Sequence, residues 1–304
     1  MKISVASLKY QWHHTQKIAF LFLAPWLLGL ALFSLVPIVL SFWYSFTSFD
    51  MFSSPVWTGF ANFTKMFKDE RFYQSLLVTA RYVLFGVPLQ LAFALFLASN
   101  LNDKLPGFHI FRAIYYVPSL LGGSVAIALL WRQIFGLEGI LNKFLLFLGF
   151  TQFQNISWIN GPNTAVYTLV ALLVWQFGSC MVIFVAGIQN IPETLYEAAE
   201  IDGAGKFVRF TRITFPLLTP ILFFNLIMQI IGAFQAFTPA FIITRGTGGF
   251  KNSLLFYTLY LYRNGFVEYQ MGYASALAWF LLLIIGLITA LLFATSRFWV
   301  FYDD

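Results

Sequence analysis

Charge is what this sequence has least of. Only 10% of its 304 residues are charged, against about 25% in an ordinary soluble domain, and so thin a supply cannot cover a water-facing surface. The same scarcity, set beside so much apolar side chain, excludes a disordered chain. Cysteine occurs once, at Cys180, so no disulfide closes within the chain. The three histidines, His13, His14 and His109, have no metal-ligand spacing. No basic run marks a nucleic-acid surface. What fills the chain instead is apolar: 60% of residues are hydrophobic and 38 are phenylalanine. The solvent that such a surface requires is lipid, and a net charge of +6 suits contact with anionic headgroups.

A helix that crosses the roughly 30 Å of hydrocarbon needs about 20 residues able to do without water. Six charge-free runs reach that scale: 18–49, 82–102, 113–131, 144–192, 213–244 and 269–296. The fourth is split by a polar stretch that contains Asn160-Gly161-Pro162-Asn163, and its first part, 144–150, is too short to span. The expectation is an all-α polytopic membrane protein with six transmembrane helices near 18–43, 74–98, 111–133, 164–188, 215–240 and 272–295. An even number puts both termini on one side. Lys and Arg in the loops divide nine against eight, too evenly to orient the chain by themselves. The first run is longer than a signal-peptide core and contains Pro25 and Pro37, so it reads as a retained helix. The chain then divides into 1–71, holding a tail, the first helix and an external loop; a transmembrane core over 72–296; and a short tail over 297–304.

All twelve carboxylates fall outside these spans. Coupling to protons or cations generally needs an ionisable group near the midplane, so a secondary transporter is disfavoured, though a passive facilitator stays open. An embedded metal enzyme or lipid-modifying transferase would need clustered acids or histidines, and none is visible. Arg81 lies about two turns into the second span, where it either snorkels to the headgroups or makes a polar contact in the bundle. The Gly-Lys pair at Gly205-Lys206 is not a P-loop, because Glu200 stands at the first glycine position and Phe207 replaces the Ser or Thr. Any ATP and magnesium belong to a partner, and this chain is expected to bind no cofactor or metal and to have no catalytic residue.

The most informative stretch is 190–220. It reads as helix, turn, helix: Asn190 and Glu193 have capping-box spacing, Pro192 falls in the first turn, and Gly203 and Gly205 end the helix. A second short helix over 206–214 would place Phe207 and Phe210 on one side, with Pro216 opening the fifth span. From spacing alone this is also an amphipathic hairpin lying on headgroups. The residues themselves, Glu197-Ala198-Ala199, then Asp202-Gly203-Ala204, then Ile213, Pro216 and Pro220, closely resemble the EAA loop of ABC importer permeases. So do Phe111-Arg112, 115–118, Trp131, 187–192, 272–276 and Phe301-Tyr302, so the resemblance covers nearly the whole chain. It is most similar to carbohydrate permeases with an extra N-terminal helix, as in glycerol-phosphate permeases. Phe215 stands where Leu is usual and Phe207 where Trp is common, and both keep an apolar contact.

That resemblance implies a type I ABC importer fold in a bacterial plasma membrane, with the hairpin and both termini cytoplasmic. It implies that Glu197, Ala198, Ala199, Asp202, Gly203, Ala204, Phe207, Phe210, Ile213 and Pro216 meet a cytoplasmic ATPase. The implied partners are two such ATPases, a second homologous permease forming a heterodimer, an extracytoplasmic solute-binding protein and membrane lipid. A neutral polar solute needs hydrogen-bonding and aromatic side chains along its path. Trp175, Gln176 and Ser179 on the fourth span and Asn225, Gln229 and Gln235 on the fifth offer them, with Ala233 and Ala236 as small neighbours, and by resemblance these two helices contact the sugar. Interhelical hydrogen bonding accounts for the same residues equally well. Gly232, Ala236 and Ala240, like Gly272 and Ala276, repeat at four-residue spacing, as in close helix packing or a subunit interface.

Overall fold

A computed structural model describes residues 19–101 and 107–301. His13, His14, Lys104 and Tyr302 lie outside the described residues, as do the rest of the first eighteen residues and the end of the C-terminal tail. The first span, α1 (Ala19–Tyr44), and the last, α14 (Met271–Ser296), agree closely with the expected bounds. Between them come a two-stranded hairpin, β1 (Thr47–Ser48) and β2 (Val56–Trp57), then α2 (Ala61–Met66) and α3 (Glu70–Asn100). Next are α4 (Phe108–Leu121), α5 (Val125–Ile134), α6 (Ile140–Phe147), α7 (Ala165–Trp175) and α8 (Gly178–Gln189). Then follow α9 (Glu193–Ile201), α10 (Lys206–Arg209), α11 (Phe215–Phe234), α12 (Thr238–Thr244) and α13 (Tyr257–Tyr262). Among the described residues, four helices are long and apolar enough to cross a membrane, and the number reaches six if each of two bent pairs counts as one span.

The second span starts four residues before its expected bound because Asp69 caps it, its carboxylate accepting the Arg71 amide at 2.8 Å. This helix is the centre of the bundle. It packs against α7, α8 and α11, burying Tyr82, Val87, Leu91 and Ala94 among Leu169, Leu172, Met181 and Phe184. Its opposite face is exposed and carries Arg81 among Leu77, Leu84 and Leu89. Helical Cβ atoms tilt toward the N-terminus, so Arg81 is aimed back toward the nearer end of the span, as a snorkelling side chain requires. By contrast α1 has no buried residue in its most apolar window, and packs on α14.

The third span is not the single helix over 111–133 that the apolar run suggests. It breaks at Gly122-Gly123, and α4 and α5 meet at 95°. Pro118 weakens the last turn of α4, two glycines follow, and the Ser124 hydroxyl caps α5 by accepting the Ile127 amide at 3.3 Å. The fourth span is also divided, with α7 and α8 bent by 41° at Gln176 and Phe177. The fifth extends in both directions beyond the expected 215–240. A π turn over 210–214 joins α10 to α11 without a break, and α12 continues the span after a step at 235–237. Phe215 donates to the Phe210 carbonyl across five residues, and the surplus residue takes up the backbone mismatch that Pro216 would otherwise create. A π turn over Ala31–Leu35 stands in the same position ahead of Pro37.

At the end away from the 190–220 hairpin, short-range polar bonds hold the loops. Asn62 donates to the Ser45 and Thr47 carbonyls, each at 2.9 Å. Gly272 lies so near Thr47 that a Cβ there would be 2.0 Å from the Thr47 oxygen. Lys65 bonds Gln270 and lies 4.5 Å over the Tyr273 ring, while Tyr260 donates to Asp69 at 2.5 Å. These contacts tie the start of α3 to the start of α14.

Candidate functional site

The 190–220 hairpin is a separate, stiff projection. Its first helix begins at Glu193 with Pro192 as N-cap, and no side-chain bond caps it, so the expected Asn190–Glu193 capping box does not form. Ile191, preceding a proline, is steered away from helical geometry, and Asn190 closes α8 by donating to the Gly187 carbonyl instead. The far end of α9 is closed by Gly203 in the left-handed region at φ 74°, with the Ala204 amide reaching the Ala199 carbonyl at 2.8 Å. Two contacts then join the second arm to the first. The Tyr196 hydroxyl is 2.8 Å from the Thr214 hydroxyl, and Arg209 pairs with Glu200 at 3.1 Å.

Around this frame the resemblance-derived residues divide by exposure. Glu197, Ala198, Asp202 and Gly203 are exposed, and Ala199 and Ala204 are half-buried. Phe207 is 79% exposed and Ile201 86%, two large apolar groups without cover beside the acids. Phe210, Ile213 and Pro216 are half-buried, so Phe207 and Phe210 do not form one exposed face. Beneath the hairpin is a cavity of about 610 Å³, walled by α9, by Lys206, Arg209 and Phe210, and by the ends of α3 and α8, with Glu197 at its edge. The helix is continuous from α10 through the π turn into α11.

The six residues expected along a path make different local contacts. The Trp175 ring lies 5.6 Å from that of Trp131, the planes tilted by 41°, and the Trp131 indole donates to the Thr168 carbonyl at 2.8 Å. The Gln176 side chain folds back to the Leu172 carbonyl and lies against Gly122, where a Cβ would meet its Cδ at 2.0 Å. The Ser179 amide donates to the Ser119 hydroxyl at 2.9 Å. Asn225 is buried, and its amide donates to Ile221 of its own helix at 3.0 Å. Gln229 bonds the Cys180 thiol. Gln235 is exposed, as is Gly232, which has nothing within 4 Å of where a Cβ would lie, whereas Ala233 and Ala240 are buried. The four-residue repeat is thus no single packing face in this chain. The other repeat is close-packed, with Gly272 against Thr47 and Ala276 buried.

Gln90 and Ser119 are the residues that the sequence reading passed over. At the bend of the fourth span the Gln176 carbonyl accepts from Gln90 Nε2 and from Ser119 Oγ, both at 3.0 Å. Gly178 brings the α4 backbone within reach, since a Cβ there would stand 2.2 Å from the Tyr115 oxygen. Gln90 Oε1 is buried without a partner among the described residues. The available signal was a lone amide in an otherwise apolar run. The described residues include no group of three or more His, Cys, Asp or Glu side chains that could hold a metal.

Comparison with known proteins agrees with this arrangement. The family model described as "Binding-protein-dependent transport system inner membrane component" matches residues 90–301. The chain is 51% identical over 284 residues to the probable ABC transporter permease protein YesP of Bacillus subtilis (strain 168), covering 93% of this chain and 91% of the relative. It is 32% identical over 281 residues to the lactose transport system permease protein LacF of Rhizobium radiobacter, covering 91% and 93%. Its fold superposes on a chain of a bacterial alginate ABC transporter crystal structure with a TM-score of 0.78 at 20% identity, covering 95% of this chain and 96% of that one. The chain belongs to the family of binding-protein-dependent transport system inner membrane components, and is a multi-pass permease subunit of an ATP-binding-cassette importer.

Proposed function

We propose that this permease carries a carbohydrate into the cell, working opposite a second, homologous permease and driven by two cytoplasmic ATPases that hold ATP and magnesium. The observation that carries the reading is the continuity of hairpin and span. An exposed acid, Glu197, and two uncovered apolar side chains, Ile201 and Phe207, sit on a cross-linked projection that leads by unbroken helix into α11. The apolar groups supply contact area to a soluble motor subunit and the carboxylate orients it. Small residues at Ala198 and Ala199 permit close approach. Movement of the hairpin then tilts α11, whose Gly232 and Gln235 are open to a neighbour that this chain does not supply. That neighbour is the second permease, and the solute passes between the two as the pair switches between outward- and inward-facing states.

A hairpin that meets ATPases is cytoplasmic, so both termini are cytoplasmic and the β1–β2 end faces the outside, where a solute-binding protein delivers the substrate. The lactose relative supports a carbohydrate as cargo, as do neutral amides without a fixed charge on the fifth span. The chain itself performs no chemistry on the solute. The decisive test is reconstitution in liposomes. Sugar uptake that needs the binding protein, second permease and ATPase supports the proposal, whereas flux through this chain alone would support a facilitator. Glu197→Lys should abolish both uptake and substrate-stimulated ATP hydrolysis while leaving the protein in the membrane.

A further inference from the structure

The segment over 135–164 contains one α-helix, α6, that no part of the transport reading uses. Ile140, Phe144 and Phe147 follow one another at helical spacing on its outer side, Leu148 continues the stripe, and Phe147 is 86% exposed. This exposure is held in place by a buried polar pin. Asn142, on the inner side, donates to the Leu137 carbonyl at 2.8 Å and the Ile156 carbonyl at 2.7 Å, and accepts from the Trp158 indole at 2.7 Å. With all three bonds satisfied, the helix cannot roll its apolar stripe inward without breaking them.

The height of α6 follows from the bend before it. At 1.5 Å per residue the 14 residues of α4 rise about 21 Å, short of the roughly 30 Å of hydrocarbon. The chain then turns through 95° into α5, which packs on α12. Leu129 and Leu130 of α5 are exposed apolar side chains, and α6 follows after only five residues. Exposed Lys143 adjoins Phe144, giving a cation at the edge of the apolar stripe.

We infer that α6 is an interfacial helix seated in the headgroup–acyl boundary of the leaflet opposite the coupling hairpin, with Ile140, Phe144 and Phe147 in the acyl region and Lys143 among the phosphates. A stripe of this kind, continuous with the lipid-facing side of α5, takes lipid as its partner. It moors α5, and through it α12 at the end of the fifth span, at a fixed depth.

The test uses the assembled importer in phospholipid vesicles, with Phe147→Cys and, separately, Phe144→Cys carrying an environment-sensitive fluorophore. The native Cys180 is fully buried and lies elsewhere in the bundle. Correct assembly is read from co-purification of the ATPase. The expected result is blue-shifted emission at both sites, loss of intensity with nitroxide placed near the top of the acyl chain, and little loss with aqueous iodide, unchanged by the solute-binding protein. Quenching by iodide and not by lipid nitroxide would overturn the inference. So would protection that appears only when the binding protein is added, which would make the stripe a protein-docking surface. Protection from both quenchers would assign the stripe to the second permease and overturn it equally.

Discussion

Gln90 Nε2 donates to the main-chain carbonyl of Gln176 at 3.0 Å, joining the central helix α3 to the one point at which the fourth span bends. The same carbonyl accepts from Ser119. Either donor alone keeps the carbonyl satisfied, so Gln90→Met and Ser119→Ala should each cost less than about 1.5 kcal/mol. Together they remove both side-chain donors from a part-buried carbonyl, and the double variant should lose about 1 kcal/mol more than the sum of the singles. Detergent-denaturation curves on the four proteins of the cycle measure the difference. Simple additivity would show that the two bonds do not share a function.

Glycines in the bundle separate into two kinds. At Gly178 an added Cβ meets the backbone of α4, at 2.2 Å from the Tyr115 oxygen. At Gly86 it meets the Leu173 Cδ2 at 2.7 Å, the mobile end of a side chain. Gly178→Ala should therefore force α8 away from α4 and destabilise by about 1–3 kcal/mol, while Gly86→Ala should be nearly neutral. Thermal melting of the purified permease distinguishes them.

Within the hairpin, the Glu200–Arg209 pair and the exposed apolar residues make opposite contributions. Glu200 is largely solvent-exposed, and exposed ion pairs contribute at most about 1 kcal/mol, so Glu200→Gln should leave stability and transport almost unchanged. Phe207→Ser should leave the melting temperature unchanged too, since Phe207 has little cover in the chain, but should weaken ATPase association at least tenfold through loss of a buried aromatic anchor. Co-purification and binding titration with the ATPase read both.

Asp50 gives a pH-dependent prediction. The Ser53 amide, the Ser53 hydroxyl and the Phe52 amide all donate to its carboxylate, which holds its pKa below the usual carboxylate range. A lowered folded pKa supplies stability that is fully present above the ordinary carboxyl titration and is lost as pH falls through the lowered value. Hydrogen exchange at Phe52 and Ser53 should therefore stay slow, relative to intrinsic rates, through neutral pH and accelerate only in strong acid. In Asp50→Asn that acid-dependent step should disappear.

The long apolar runs declared α1 and α14 almost to the residue and α3 to within four, because a span is specified by length and lack of charge. The hairpin was legible for a different reason: Gly203 and the Glu-Ala-Ala segment are local signals, and helix ends are local events. The bend at Gly122-Gly123 was hidden because paired glycines inside an apolar run also serve close packing, and only Gln176 lying against Gly122 shows which applies. Asn190 and Glu193 have capping-box spacing, yet Pro192 between them decides where the backbone can be helical. Gln90 and Ser119 belong to α3 and α4, and their common target, the carbonyl of residue 176, is a backbone atom that no side-chain pattern reveals.

One further consequence lies in the π turn over 210–214. An α-helix advances about 100° per residue, so the single surplus residue there sets the compass bearing of everything N-terminal to it against the amide-bearing side of α11. Remove one residue, Thr211 for instance, and the handle would swing by roughly a quarter turn while every other element kept its place. A motor engaging it would then push along the wrong heading, and aim, as distinct from grip, is thereby written into the count of residues between Lys206 and Pro216.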